Sequence, residues 1–429
     1  MKNYYFPKIE KFTLKNGLVV FWIPRKEVNH IHMDAVLKTG SREEPSELSG
    51  ISHFLEHLFL FSPTMSFPTL DKISNFRSQV GGWVNALTYF EKIVLEGDFP
   101  IKNLSKALTL FKENLFYLKF NSEIFKAEKA RIIQEIGGEK DDPIFEIGNL
   151  LTENQTKEKD SAFRRVLGDK KSVKEMKFND LKKYYKKVFN PLNTILIVSG
   201  PASIAKSLKS KLLKNWGSIE NKYETFPKIR RTSFVNFSKK HFQKKDLQEV
   251  YFTLSFPINK VSIKKEYELL RLLMYVLDFS EKSIIDNIER KGLAYYINKE
   301  YLLLPNKCLF DFYGHTENIS KLKEILSYLK DNLINNNLKS LTPSLFKRAK
   351  QKYLLFYLMD LEKEEDISNY IQDGVLISKK SIDFKKQFKE IKNISFNDIK
   401  KFMDKVFIKE NMNVITMSKH KSIDLKYLL

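Results

Sequence analysis

An internal repeat is the feature that most constrains the fold of this 429-residue chain. Residues 178–189 (FNDLKKYYKKVF) recur as residues 396–407 (FNDIKKFMDKVF), 218 positions later. Each copy leads into a β-like run, and the segments at 103–106 and 318–321 also resemble each other. Chance similarity between lysine-rich helices does not account for matches of this length at a nearly constant offset. The repeat therefore predicts two domains of similar fold.

The two halves have the same general pattern, in which β-like runs are mixed with amphipathic helical segments. This pattern predicts a sheet covered by helices in each half, so the expected fold class is α+β with two tandem homologous domains. A polar stretch with Pro227 and a basic run at 228–231 marks the boundary. We place the domains at residues 1–215 and 236–429 with a linker at 216–235, since each half is long enough to bury a core.

Residues 51–61 form an apolar run that predicts a helix carrying His53 and His57. Residues four apart share a helix face, so both imidazoles can bind one metal ion, and Glu56 lies close enough to reach a water on that ion. Two histidines and a carboxylate base are the minimum for zinc-assisted hydrolysis. The order H-x-x-E-H is the inverted form of the zinc-protease helix. The alternative is a helix with two ordinary surface histidines.

A second helical segment, residues 125–136, carries Glu128 and Glu135. Seven residues are about two helical turns, so both carboxylates lie on one face. One can bind the metal and the other can orient a histidine, but the spacing does not say which. The corresponding segments of the second half, 266–274 and 346–356, contain no histidine, and the latter has Lys, Arg and Gln in place of the carboxylates. The metal site is therefore expected in the first half only.

Three further motifs give the chain a resemblance to the pitrilysin family of zinc metallopeptidases, which includes the mitochondrial processing peptidases. Residues 38–57 resemble the family segment that leads into its H-x-x-E-H helix, and residues 81–88 (GGWVNALT) resemble its glycine pair and Asn-Ala-x-Thr strand. Residues 12–21 match its opening strands, where Asn16 and Gly17 favour a hairpin with a two-residue turn. Together with the segment at 125–136, these motifs are spread through residues 10–200.

This resemblance implies a site, a substrate and an assembly. Glu135 lies 78 positions after His57, as the third ligand of the family does, and Glu128 matches its additional acidic residue. One Zn²⁺ per chain would be bound by His53, His57 and Glu135, with Glu56 as general base. The sheets would be mostly antiparallel, and the chain would form half of a clamshell. A peptide substrate would add as a β-strand; the residues expected to contact it are Asn85, Ala86, Thr88 and Tyr295.

The second half departs from the family pattern at Ile288. Gly292 to Tyr295 match a Gly-Leu-x-Tyr signature, but the family has an arginine seven residues before the tyrosine, and its glycine-rich turn is missing at 277–282. Isoleucine cannot donate the hydrogen bonds of a guanidinium. Arg290 could replace the arginine, the contact could be dispensable, or a partner subunit could supply it. We favour a heterodimer with an Arg/Tyr-bearing paralogue; a homodimer is the alternative.

Composition gives weaker information about partners and compartment. The net charge of +22 is spread along the chain without a basic arm or a nucleic-acid-binding motif, so we do not expect a nucleic-acid partner. Cys308 is the only cysteine, which excludes an intrachain disulfide. The start lacks a signal-peptide pattern, and no run of about twenty apolar residues predicts a membrane span. We therefore expect a cytoplasmic protein.

The predicted function is that of a zinc-dependent endopeptidase, the catalytic subunit of a two-chain enzyme that cleaves peptides or flexible polypeptide segments. Zinc and Glu56 would together activate a water molecule for attack on the peptide bond. Two alternatives from other classes are a non-catalytic scaffold or assembly subunit of the same fold, and a basic nucleic-acid-binding protein that rests on charge alone. The sequence does not identify the substrate.

Overall fold

The computed structural model describes residues 4–155, 165–221, 234–235, 238–278, 283–304, 307–335, 338–378 and 382–426, without the side chains of 263–265 and 378. The chain forms two compact units. The first unit comprises Met1–Gly138, Lys159–Arg231 and Glu364–Gln372. The second unit comprises Glu139–Glu158, Thr232–Lys363 and Asp373–Leu429. Among the described residues, no helix is both long enough and apolar enough to span a bilayer.

Each unit is built on one sheet. The strands of the first are β1 (Glu10–Thr13), β2 (Val19–Arg25), β3 (His30–Leu37), β4 (Trp83–Thr88), β5 (Ile93–Pro100) and β6 (Thr194–Pro201), in the order β1-β2-β6-β3-β5-β4. The strands of the second are β7 (Lys239–Gln243), β8 (Val250–Ile258), β9 (Tyr296–Leu304), β10 (Lys307–Thr316) and β11 (Asn413–Ser418), in the order β7-β11-β8-β10-β9.

The two sheets share one topology once β1 is set aside. In each sheet one pair of strands is parallel, β2 with β6 and β7 with β11, and the remaining pairs are antiparallel. The parallel pair occupies the same position in both strand orders. The predicted α+β class, with two homologous domains and mostly antiparallel sheets, is therefore confirmed.

Helices follow the same order in both halves. They are α1 (Ile51–Phe61), α2 (Leu70–Val80), α3 (Leu104–Phe116), α4 (Ser122–Asp141), α5 (Pro143–Asn154), α6 (Lys170–Glu175), α7 (Phe178–Val188), α8 (Ala205–Lys211), α9 (Ile263–Asp278), α10 (Ile284–Arg290), α11 (Ile319–Lys330), α12 (Pro343–Asp360), α13 (Glu364–Asp373), α14 (Phe384–Asn393) and α15 (Phe396–Val406). The repeated sequence blocks form α7 and α15.

Helices α5 and α13 are exchanged between the halves. Helix α5 comes from the first half of the chain but packs on β8 and β11 of the second unit. Helix α13 comes from the second half, yet Ser368 and Gln372 on it donate hydrogen bonds to Asp34 of β3 in the first unit. Division at a linker of 216–235 does not anticipate this exchange, and most of that predicted linker, 222–233, lies outside the described residues.

The predicted hairpin of β1 and β2 is confirmed, but the predicted two-residue turn is wrong. The Leu14 N–H donates to the Leu18 carbonyl and the Gly17 N–H donates to the Leu14 carbonyl, both at 2.9 Å. This is a three-residue loop that ends with Gly17 in the left-handed region, at φ +85°. The Asn16 side chain instead donates to the carbonyls of Trp216 and Ile219, at 2.8 and 3.0 Å.

Helix α1 is held in the core of the first unit by one apolar face. Ile51, Phe54, Leu55, Leu58 and Phe59 are completely buried, with the spacing of a helix stripe that faces a core. The helix packs against β4 and β5. This packing leaves the two histidines and Glu56 on the side of α1 that faces away from the apolar stripe.

Candidate metal centre

The start of α1 is fixed by the buried carboxylate of Glu44. Its two oxygens accept hydrogen bonds from the backbone N–H groups of Gly50 and Ser52, both at 2.7 Å. The Ser52 hydroxyl in turn donates to the Gly40 carbonyl at 3.2 Å. A carboxylate at a helix N-terminus satisfies free N–H groups and complements the helix dipole. The segment at 38–57 thus sets the position of the helix that carries the histidines.

His53, His57 and Glu135 come together between α1 and α4. The Oε2 atom of Glu135 lies 3.3 Å from His57 Nε2 and 3.9 Å from His53 Nε2. The two imidazole rings have centroids 4.7 Å apart and are tilted by 73°. Both histidines are buried, whereas Glu135 is partly exposed. Two imidazole nitrogens and a carboxylate oxygen therefore converge from two helices.

Glu128 lies on the far side of His57 from Glu135. Its Oε2 atom is 3.0 Å from His57 Nδ1, so Nδ1–H donates to the carboxylate and Nε2 is left to face Glu135. Arg131 Nη1 donates to both oxygens of Glu128, at 3.0 and 3.1 Å. The sequence indicated that one of the two glutamates orients a histidine, but it gave no role to Arg131.

Glu56 is largely buried beside the same cluster. Its Oε2 atom lies 4.0 Å from His53 Nε2 and accepts a hydrogen bond of 2.6 Å from the Thr88 hydroxyl. Burial raises the pKa of Glu56 to about 7, and the Thr88 hydrogen bond opposes only part of this rise. A carboxylate with a pKa near neutrality is suited to accept a proton and return it.

Burial and neighbouring charges set the other ionisation states in opposite directions. Burial lowers the pKa of His53 to about 4, so this imidazole is neutral at pH 7. Burial alone would also lower the pKa of His57, but hydrogen bonds to Glu128 and Glu135 raise it to about 9. The hydrogen bond from His57 lowers the pKa of Glu135. The carboxylates of Glu128 and Glu135 thus place negative charge beside the buried imidazoles of His53 and His57.

This donor set fits a zinc ion. Ligand atoms of His53, Glu56 and His57 all lie within 4.8 Å of one another, the only such metal-ligating group among the described residues. Nitrogen and carboxylate oxygen are ligands that Zn²⁺ prefers, and catalytic zinc commonly takes three protein ligands. The engagement of His57 Nδ1 by Glu128 is the arrangement that orients a zinc-binding histidine. His53 and His57 could therefore hold the ion together with a carboxylate, for which Glu135 and Glu56 are both within reach.

The predicted peptide-binding strand is β4, at the edge of its sheet. Gly81 ends α2 at φ +63°, and a side chain at Gly82 would collide with the Asp98 carbonyl, which explains the glycine pair. Ala86 is buried, and the Asn85 side-chain amide donates to Glu96 at 3.3 Å. Thr88 reaches Glu56, so a residue predicted to contact substrate also contacts the predicted base.

Residues predicted for the second half lie in and after α10. Tyr295 is 92% exposed, whereas Ile288 is completely buried in α10. Arg290 is exposed at the end of the same helix. The missing glycine-rich turn falls mostly on residues 279–282, outside the described residues.

Helix α12 is the counterpart of α4. Phe125 on α4 contacts the start of α7, and Phe346 on α12 contacts the start of α15, with ring centroids 5.6 and 5.7 Å apart. The side-chain amines of Lys129 on α4 and Lys350 on α12 each donate to two backbone carbonyls, which lie just before α7 and α15 respectively. Helices α4 and α12 therefore correspond residue by residue at a shift of 221 positions. This register places Ala349, Lys352 and Phe356 where the first half has Glu128, Arg131 and Glu135. The expectation that Lys, Arg and Gln replace the two carboxylates is therefore wrong, since apolar residues stand at both places.

Helix α9 is likewise the counterpart of α1. Its buried residues at 272, 273, 276 and 277 repeat the spacing of those at 54, 55, 58 and 59 in α1. This register places Met274 and Tyr275 where the first half has Glu56 and His57. The Tyr275 ring lies 5.9 Å from the Phe356 ring, as His57 lies beside Glu135. The second half thus has an aromatic contact at the place of the metal site.

Comparison with known families finds two models of one peptidase family along the chain. Residues 29–162 match the model of the insulinase family, peptidase family M16, and residues 175–353 match the model of the peptidase M16 inactive domain. The uncharacterized zinc protease YmxG of Bacillus subtilis is 25% identical over 356 residues, which is 82% of this chain and 85% of that protein.

Two solved structures show the same fold. A protease from Helicobacter pylori is 20% identical with a TM-score of 0.86, covering 96% of this chain and 100% of that one. A chain of Complex III2 from Candida albicans is 15% identical with a TM-score of 0.81, covering 98% and 99%. Together with the two family models, which account for most of the sequence, these similarities establish that the chain belongs to peptidase family M16.

Proposed function

We propose that this protein is a zinc-dependent endopeptidase that hydrolyses peptides or flexible polypeptide segments. The observation that carries the proposal is the convergence of His53, His57 and Glu135 beside the buried Glu56 carboxylate. The names of zinc protease relatives support a metallopeptidase in general. We assign His53, His57 and Glu135 to one zinc ion, Glu56 to the base role, and Glu128 to the orientation of His57.

In the proposed mechanism, His53, His57 and Glu135 would hold a zinc ion, which would act as a Lewis acid towards water and the scissile carbonyl. Glu56 takes a proton from the attacking water, which its raised pKa allows near neutral pH, and passes it to the leaving amine. Thr88 holds one oxygen of Glu56 and so fixes the direction of the carboxylate. Glu128 keeps His57 Nδ1 engaged, so that Nε2 faces the reaction centre.

The edge strand β4 is the proposed binding site for the peptide backbone. Its only strand neighbour among the described residues is β5, so its other edge is available for an added strand. Main-chain pairing there would lead a substrate towards Thr88, which contacts Glu56. Because such pairing reads few side chains, we expect selection by length and flexibility rather than by sequence.

A partner subunit is part of this proposal. Ile288 is completely buried and apolar, so it cannot supply the polar contact expected at that position. Tyr295 is almost fully exposed and remains the proposed substrate contact of the second half. We propose a heterodimer with an Arg/Tyr-bearing paralogue, with a homodimer as the alternative, and a cytoplasmic location.

The second candidate function is that of a non-catalytic assembly subunit. Two observations favour considering it: residues 175–353 match the inactive-domain model, and one structural relative is a chain of Complex III2. A scaffold has no need for two histidines and a glutamate around a buried carboxylate, and it need not bind zinc. Zinc content therefore separates the two candidates.

The test is hydrolysis of a mixed peptide library by the zinc-loaded chain, with Glu56→Gln beside it. Cleavage by the wild type alone supports a self-sufficient peptidase. Bound zinc without cleavage calls for addition of the co-purifying partner, and cleavage that then depends on Glu56 supports the two-chain enzyme. Absence of bound zinc, or equal cleavage by Glu56→Gln, contradicts the proposal.

A further inference from the structure

Arg131 links the two helices of the candidate metal centre through two kinds of contact. Its Nη1 atom donates to both oxygens of Glu128, at 3.0 and 3.1 Å. Its guanidinium also lies over the ring of Phe61, the last residue of α1, at 4.8 Å from the centroid. Arg131 thus contacts Glu128 on its own helix and an aromatic ring on the helix that carries both histidines.

From these contacts we infer that Arg131 is a positioning residue for the proposed zinc site, acting on His57 through Glu128. The inference rests on the proposed function and extends it to Arg131, which donates to Glu128 and whose charge also lowers the pKa of Glu135. Arg131 limits the positions that the Glu128 carboxylate can take, and Glu128 in turn fixes the imidazole of His57 through Nδ1. The result is that Nε2 of His57 is aimed at Glu135 before a metal ion arrives.

The burial of Glu128 distinguishes this contact from an ordinary helix ion pair. The Glu128 side chain is only 5% exposed, whereas Arg131 is about half exposed. A carboxylate out of water depends on the few donors that reach it, and among the described residues these are Arg131 and His57. Without Arg131, the Glu128 carboxylate can turn away from His57. Loss of an ion pair between two solvated side chains would have no such effect on a buried histidine.

The second half of the molecule supports the same conclusion. At the counterpart of Glu128 stands the completely buried Ala349, and at the counterpart of Arg131 stands Lys352. The guanidinium is thus absent from the copy that also lacks the carboxylate and the histidine. A lysine carries the same charge, but it lacks the planar guanidinium, which can stack on an aromatic ring and donate two hydrogen bonds in its own plane.

The experiment compares zinc affinity in Arg131→Gln, Arg131→Lys and Lys126→Gln, measured by competition with a chelator. Lys126 is an exposed residue of the same helix, so its substitution removes the same charge without touching Glu128. We expect zinc affinity to fall about 10-fold in Arg131→Gln, less in Arg131→Lys, and not at all in Lys126→Gln. The visible spectrum of the cobalt-substituted protein should change only in the Arg131 variants.

Thermal unfolding of the metal-free proteins separates positioning from a merely structural role. Because Arg131 donates to a buried carboxylate, Arg131→Gln should unfold at a lower temperature than Lys126→Gln without metal, so zinc affinity is compared at a temperature where both metal-free proteins are fully folded. Equal zinc affinity in these two variants under that condition would overturn the inference, and so would an unchanged cobalt spectrum in Arg131→Gln. A wild-type chain that binds no zinc would instead overturn the proposed function, so the two failures are distinguishable.

Discussion

The two helix pairs at corresponding places of the halves, α1 with α4 and α9 with α12, have the same scaffold and different chemistry. In both pairs a phenylalanine and a lysine anchor the second helix to the following segment. Between the helices, however, the first half has histidines and carboxylates, and the second has the rings of Tyr275 and Phe356. At the counterpart of His53 stands Arg271, which forms an ion pair with Asp360 of α12 at 3.5 Å. The fold is therefore built without the two histidines, so the fold alone gives no reason for them.

The largest effect that would sharpen this comparison is expected from His57→Tyr, which introduces the residue of the second half. The variant should lose stoichiometric zinc and all hydrolysis, because one of the three ligands is gone. Its metal-free stability should also fall, by about 2 kcal/mol, because the buried Glu128 carboxylate loses the hydrogen bond from His57 Nδ1. Metal analysis and chemical unfolding check both. The control, Tyr275→His, should gain no zinc; a variant His57→Tyr that keeps zinc would break the comparison.

The second prediction concerns the base. Glu56→Gln should retain zinc and lower the rate of peptide hydrolysis by about 1000-fold, because the amide cannot accept the proton from water. Steady-state kinetics on one cleaved peptide measures the effect. The matched control is Met274→Gln at the corresponding place of α9, which should leave the rate within about two-fold. Comparable losses in both variants would mean that the rate reports packing rather than proton transfer.

A third, smaller effect is expected from Glu128→Ala, which copies Ala349 of the second half. His57 then loses the acceptor of its Nδ1–H, and zinc affinity should fall about 10- to 100-fold. Competition with a chelator measures this change. Glu123→Ala, at an exposed position of the same helix, is the control and should leave the affinity unchanged. An unaltered affinity in Glu128→Ala would show that Glu128 does not orient the ligand.

The smallest effect concerns the exchanged helices. On β3, His32 Nδ1 lies 2.9 Å from Asp98 and Nε2 lies 3.2 Å from Asp34, which also accepts from α13. The corresponding contact beneath α5 is a neutral hydrogen bond of 3.4 Å from Gln155 to Ser255. Burial alone would lower the pKa of His32, but the hydrogen bond to Asp98 and the close negative charge of Asp34 raise it to about 10.

Because the folded-state pKa of His32 is raised, its stabilisation is complete below the unfolded value of 6.5 and disappears as the pH rises through about 10. His32→Asn should therefore cost about 2 kcal/mol at pH 6 and progressively less towards pH 10. Chemical unfolding at several pH values measures this difference. Ser255→Ala is the control and should have a cost that does not vary with pH. A constant cost for His32→Asn would contradict the ionic contact.

Local features of this protein were predictable from its sequence, and distant contacts were not. Apolar spacing predicted α1 and α4, and the repeat predicted two sheets of one topology, because these signals lie in neighbouring residues. The contacts of Ser368 and Gln372 with Asp34 join residues more than 300 positions apart, and nothing local marks them. The prediction of a two-residue turn at Asn16 was wrong for the same reason, because the Asn16 side chain donates to the backbone carbonyl of the distant residue Trp216. Glu128 and Arg131 have the three-residue spacing of an ordinary ion pair on a helix surface, and only the burial of Glu128 distinguishes their contact.

The exchange of α5 and α13 has a consequence for how the protein is made. A ribosome delivers the chain from its N-terminus, so every strand of the first sheet emerges long before Gln372 does. Until then Asp34 lacks its partners on α13, and the nascent first unit is incomplete. Completion of the first unit therefore waits for synthesis of most of the second half. The first unit is begun long before the second, but it can be completed only shortly before the second unit receives its last strand, β11.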